Sequence, residues 1–165
     1  MAILMRIGDI CSIQNGTKKN RNNNIEGNIP VYGSNQNPLF FTNEFNREGK
    51  TCKISKIPHI PRIMLMNERY FLKDGSFTIE SNNQTILTNE YLWFYLENNS
   101  HLIQYTGFAI PHINMEHFQN ILIPVPSIIQ QFEITTNITT LRTIRDQSVQ
   151  NYDNYINNII ENINV

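Results

Sequence analysis

Lys18-Lys19-Asn20-Arg21-Asn22-Asn23-Asn24 sets three cations and four amides in seven consecutive residues. Lysine and arginine attract phosphate; at base edges arginine or lysine suits guanine, and asparagine or glutamine suits adenine. The stretch has the chemistry to hold a nucleic acid, and equally the composition of a solvated polar loop. Asn35-Gln36-Asn37 offers more amides, for base edges or simply for a turn. Lys53 and Lys56 are further candidate contacts, although with Lys50 they make no patch by spacing alone. In a strand Lys50 and Lys56 share the face opposite to Lys53.

Catalysis is poorly provided for. Asn37-Pro38-Leu39-Phe40 falls short of the Asn-Pro-Pro-Tyr/Phe motif that grips a flipped adenine, and no Gly-rich strand–turn–helix for S-adenosylmethionine accompanies it. His112-Ile113-Asn114-Met115-Glu116-His117 has one residue too many between its first His and the Glu for the H-x-x-E-H zinc pattern. His59, His101, Cys11 and Cys52 lack metal-ligand spacing. No nucleophile elbow, phosphate loop or paired-carboxylate motif is present, and no nuclease motif. A binding module is expected, not an enzyme, with no metal and no cofactor.

Such contacts need a scaffold. The 165 residues suffice for one domain plus an appendage, and 40% hydrophobic residues can build its core. Two cysteines make no disulfide framework; no signal peptide or membrane span is legible, so a cytoplasmic protein is expected. The net charge of −1 argues against a nucleic-acid partner until its distribution is read. Met1–Lys73 holds eleven basic and five acidic residues, a balance of +6; from Asp74 onward two basic residues face nine acidic ones, a balance of −7. A basic half joined to an acidic half points to a nucleic-acid face and a second partner face, or to chance segregation of solvated charge.

The pattern of elements predicts an α+β domain with short strands, over Arg6–Ile13, Ile29–Tyr32, Thr51–Ser55, Arg62–Met66, Ser76–Glu80 and Ile121–Val125. Glu90–Leu96, apolar nearly all round, predicts a buried helix capped by Thr88 or Asn89, and Asn114–Gln119 a short one. After Pro126, Ser127 and Gln130 have the spacing of a capping box. Beyond them Ile134, Ile138, Leu141, Ile144, Tyr152, Ile156, Ile159 and Ile163 recur at steps mostly of three and four, with no Gly or Pro to interrupt. One long amphipathic helix follows. Its Thr, Asn and Ile residues are weak helix formers, so its stripe must be buried, against its own domain or in a coiled coil with another helix. The domain boundary is placed at 126/127.

Ile7-Gly8-Asp9-Ile10-Cys11-Ser12-Ile13-Gln14-Asn15-Gly16, then Ile29-Pro30-Val31-Tyr32-Gly33-Ser34, then Gly107 to Asn114, then Ile121-Leu122-Ile123-Pro124-Val125-Pro126 stand in the order found in type I restriction–modification specificity subunits. The chain resembles that family along its whole length, with Gln130-Gln131 where the family has Glu-Gln and a poor match from Phe40 to Lys73. Full-length members carry two recognition domains and two spacer helices, whereas this chain resembles one half. The resemblance implies a module that reads double-stranded DNA, directs a separate adenine methyltransferase, and pairs as a homodimer through Ile134, Ile138, Leu141, Ile144, Tyr152, Ile156 and Ile159. In such a module the residues with the chemistry for DNA contact are Lys18, Lys19, Asn20, Arg21, Asn22, Asn35, Gln36, Lys53 and Lys56. Thr106, Phe108 and His112 lie in the family's recurring turn, where they either meet DNA or pack against the spacer helix. The competing expectation is an interaction protein that occupies the methyltransferase as a decoy without productive DNA reading.

Overall fold

A computed structural model describes residues 2–20, 27–57, 63–109 and 111–163, with side chains described as far as 159. The chain divides into two compact units, Met1–Gln131 and Phe132–Val165.

The predicted strand over Arg6–Ile13 is in fact three elements: β1 (Ile3–Arg6), one helical turn α1 (Ile7–Ile10) and β2 (Cys11–Asn15). The reason lies in the partners. β1 pairs antiparallel with the strand Leu122–Val125, whereas β2 pairs with Ser76–Ser81 in a different sheet. The chain must turn between the two sheets, and Ile7, fully buried, anchors the turn with its N–H on Ile121 O at 3.0 Å. Gly8 lets the segment at Gln119 approach closely there, since a Cβ would stand 3.2 Å from Gln119 O and Cβ.

The remaining strands are β3 (Ile29–Tyr32), β4 (Phe40–Thr42), β5 (Thr51–Ser55), β6 (Ile63–Met66), β7 (Phe71–Leu72), β8 (Ser76–Ser81), β9 (Tyr105–Thr106), β10 (His112–Ile113) and β11 (Leu122–Val125). Among the described residues, β2, β8, β5 and β6 form one antiparallel sheet in that order, and β4, β3 and β7 another in which β3 and β7 run parallel. β5 is buried at all five positions, polar ones included, because the sheet's other strands flank it and a helix covers it. That helix, α2 (Asn89–Asn98), starts where Thr88 Oγ1 accepts from Tyr91 N. Leu92 and Leu96 go fully into the core, and Trp93, Phe94 and Tyr95 stay half-buried. α3 (Met115–Asn120) is capped by Asn114, whose Oδ1 accepts from His117 N.

The long helix α4 spans Ile128–Ile163, 36 residues. Its capping box is formed: Gln130 N donates to Ser127 Oγ and Ser127 N to Gln130 Oε1, both at 3.3 Å. Gln131, fully buried, accepts from Thr88 N and donates to Ile86 O and Pro126 O, which ties the first turn of α4 into the first unit. Farther along, Thr139, Thr140 and Thr143 turn their hydroxyls back onto the carbonyls of Thr135, Thr136 and Thr139. That satisfies each hydroxyl inside the helix, so a Thr-rich sequence can remain helical. No helix among the described residues is long and apolar enough to cross a membrane.

Cys11 and Cys52 are buried and unpaired with each other. Burial pushes the Cys11 thiol up to about 12, and it pushes fully buried Cys52 well above the ordinary range, with Cys11, Glu90 and Glu80 adding to the effect. The thiolate is the reactive form, so neither cysteine is expected to react with a thiol reagent at pH 8 until the protein unfolds. Rapid labelling of two thiols in the native protein would contradict this packing.

Candidate nucleic-acid interface

Four backbone segments meet at one corner of the first unit. Gly16 N donates to Ser76 O and Thr17 N to Leu72 O, each at 3.0 Å, and Asp74 N returns to Thr17 O at 3.1 Å. Only glycine fits at position 16, where a Cβ would stand 1.9 Å from Lys73 O. Lys73 N donates to Tyr32 O, and Ser34 Oγ donates to Gly75 O. Lys56 N also donates to Gly75 O, at 2.9 Å. Gly75, with φ of +94°, makes the turn that presents its carbonyl to both. Main-chain bonds thus join segments 16–20, 56–57 and 73–75, and the Ser34 hydroxyl ties segment 33–37 to them at Gly75 O.

A hairpin is tied to the same corner. β9 and β10 pair His112 with Thr106, and Tyr105 Oη donates to Ile57 O at 3.1 Å, beside Lys56. Between the strands Gly107 takes φ of +94° and Phe108 stands fully exposed.

The corner gathers Lys18, Asn20, Asn35, Gln36, Thr106 and His112, all exposed, with Lys56 half-buried. Sequence reasoning missed Lys73, half-buried, whose signal was its place just before the Asp74-Gly75 turn. Arg21 and Asn22 lie outside the described residues. Lys19 belongs to the corner's rim in a different way: its Nζ bonds Glu44 Oε2 at 2.7 Å and lies 4.6 Å from the Phe71 ring centroid. That pairing spends much of its charge locally.

Lys53 is not at the surface. Its side chain is fully buried and its Nζ donates to Asn35 O at 2.8 Å, so in this conformation it has no path to a phosphate. β5 carries Lys53 on a face covered by other elements, a distinction the alternation of Lys50, Lys53 and Lys56 could raise but not settle. Arg47 is internal as well, with its guanidinium on Thr78 Oγ1, Asn46 O, Gln14 O and Asn15 O at 2.7–3.1 Å.

The basic half is thus less open than its count implies. Arg6 pairs with Asp9 and Arg69 with Glu48. Among the described residues Lys18, Lys50, Lys56 and Lys73 carry no ion pair. Three of those four stand at the corner, and Lys50 stands at the opposite end of β5. Asp74 is the acid among them, exposed at the turn. Among the described residues no group of three His, Cys, Asp or Glu side chains is placed to hold a metal.

The family described as Type I restriction modification DNA specificity domain matches residues 4–158. The fold is shared with the S subunit of a type I restriction–modification system from M. genitalium, at 15% identity and a TM-score of 0.72 over 87% of this chain and 39% of that one. It is shared with a chain from a structure of complex assembly and conformational transition in the type I R-M system, at 17% identity and 0.68 over 86% and 38%. The HsdS subunit from Thermoanaerobacter tengcongensis is similar at 18% and 0.61 over 86% and 37%. This chain spans about two-fifths of the length of those solved subunits. Its sequence matches no curated protein.

Proposed function

The chain belongs to the family of type I restriction modification DNA specificity domains, and from that premise we propose that it reads double-stranded DNA with the corner around Gly75. It brings a separate adenine methyltransferase to the bound sequence and transfers no methyl group itself. The observation that carries the reading is the convergence of Lys18, Lys56 and Lys73 with the exposed amides Asn20, Asn35 and Gln36. Lysines of this kind supply affinity through phosphate, and amides on a tied-down loop supply choice of base. In this reading residues 1–126 recognise DNA and the helix from 127 is the spacer, through which a second copy supplies a second recognition domain.

The test is salt dependence. Each phosphate contact contributes about 0.9 to the slope of log affinity against log salt. Replacing Lys18, Lys56 and Lys73 together with Ala should weaken duplex binding and lower that slope by about two to three. Gel shifts on a random duplex, with and without the methyltransferase, measure both. An unchanged slope would place the contacts elsewhere. Association with the methyltransferase but no DNA binding under either condition would replace the reading with that of a decoy.

A further inference from the structure

We propose that Lys53 is a positioning residue for base recognition: from inside the protein it fixes the loop that presents Asn35 and Gln36. The proposal rests on the DNA-reading function above and adds to it the part that sets the loop's shape.

The loop leaves β3 at Gly33 and returns where Leu39 N donates to Val31 O at 2.8 Å. Its base is sewn to the neighbouring turn by Ser76 Oγ on Gly33 O and Ser34 Oγ on Gly75 O. Beyond Ser34 the side chains of Asn35, Gln36 and Asn37 face solvent. An exposed amide selects a base only when its backbone is held still, because bidentate contact with adenine requires a fixed direction of approach. The holding contact is Lys53 Nζ on Asn35 O, at 2.8 Å.

Lys53 is itself held. It rises from β5 in register with Thr78 of β8 and Met64 of β6. Its ammonium lies 5.8 Å from the Tyr32 ring centroid and 3.9 Å from Met64 Sδ. Tyr32 meets Tyr70 edge to face, with ring centroids 5.9 Å apart. Burying an ammonium is expensive, and it persists where its hydrogen bonds are well made. Breaking the bond on Asn35 O takes a hydrogen bond from a buried ammonium, so the loop is held at that carbonyl. The result is a tether from the inner strand β5 to the recognition loop, placing a cation behind the reading surface instead of on it.

The test separates holding from touching. Lys53→Met keeps the stem and removes the ammonium. Sites are first selected for the wild-type protein from a randomised duplex pool. The variant should then lose about tenfold or more in preference for the selected site, the scale of one base-edge contact. Its affinity for random duplex and its salt slope should stay as in wild type. Amide exchange at Leu39, whose N–H closes the loop on Val31 O, should accelerate at least about tenfold without DNA present, as local opening becomes easier. Should Lys53→Met melt below the assay temperature, Lys53→Gln carries the same test with a donor retained on a shorter stem.

A fall in salt slope of about one would make Lys53 a phosphate contact and overturn the proposal. So would unchanged exchange at Leu39, or intact preference despite faster exchange. If the wild-type protein prefers no duplex over any other, the functional reading fails, and the exchange measurement still decides whether Lys53 holds the loop.

Discussion

Arg47→Ala is expected to destabilise the first unit by about 3–5 kcal/mol, the scale of leaving two or more buried acceptors without a donor. The guanidinium donates to four acceptors: Thr78 Oγ1, Asn46 O, Gln14 O and Asn15 O. Truncation leaves these without their donor in a region where Arg47 itself is only 8% exposed. Two of the acceptors close β2 just before the Lys18 segment, so the effect reaches the proposed DNA corner. Beside it Asn46 donates to Leu72 O and Thr17 Oγ1 and accepts from Leu72 N, pinning the same segment from the other side. A drop in melting temperature of roughly 10 °C or more should accompany the loss. Arg47→Lys should recover little, because three donors on one nitrogen cannot reach acceptors spread around a planar fork. A change below about 1 kcal/mol on denaturant unfolding would show that the network holds nothing.

Arg47 also marks where the sequence stops being legible. Counting cations placed it with Lys18 and Lys56 in a basic half, and nothing local distinguishes an arginine at the surface from one that ties three chain segments together. Lys53 is the same case: its alternation with Lys50 and Lys56 is readable, but which face is covered depends on α2 and on strands distant in sequence. What could be read had its cause nearby. Thr88, Asn114 and Ser127 cap helices through their own side chains. The Asp74-Gly75 turn lies before a strand of β-formers, and β3, β5 and β8 begin where turn residues end. The family phrases fixed the order of elements without revealing why Ile7–Ile10 is a helical turn, since that depends on β1 and β2 choosing different sheets. β4 and β7 were missed because strands of three and two residues carry no period. The proposed recognition corner was half legible. Its loops announce themselves by composition, whereas their meeting around Gly75 is made largely by main-chain hydrogen bonds, with the Ser34 hydroxyl added, between segments distant in sequence.

The long helix should make the wild-type protein a dimer, and Leu141→Asp with Ile156→Asp should make it a monomer. In the second unit Leu141, Ile144, Val149, Tyr152, Tyr155 and Ile159 are exposed along α4, and Ile134, Ile138 and Ile156 are half-buried. A helix this rich in weak formers gains little from propensity, so covering that stripe, here by a second copy, should supply stability. Burying each large apolar side chain contributes about 1.5–3 kcal/mol. Two substitutions in each of two copies remove four such contributions, comparable with the roughly 8 kcal/mol that holds a micromolar dimer. Four carboxylates forced into the seam add desolvation to the deficit. Arg145 and Ser148 interrupt the stripe at mid-helix, and polar residues in a seam favour one register over its neighbours. Two-fold pairing presents the same recognition loop twice, so the preferred target should be a split palindrome. Deleting residues 145–148 shortens the helix by about 6 Å while nearly keeping the stripe in phase. The gap between half-sites should then shrink by roughly one to two base pairs at about 3.4 Å each. Light scattering settles the first step and site selection from random duplex the second. A wild-type protein that remains monomeric at high concentration, with or without DNA, would remove the dimer and the palindrome together; a dimer whose half-site gap ignores the deletion would remove only the helix as its ruler.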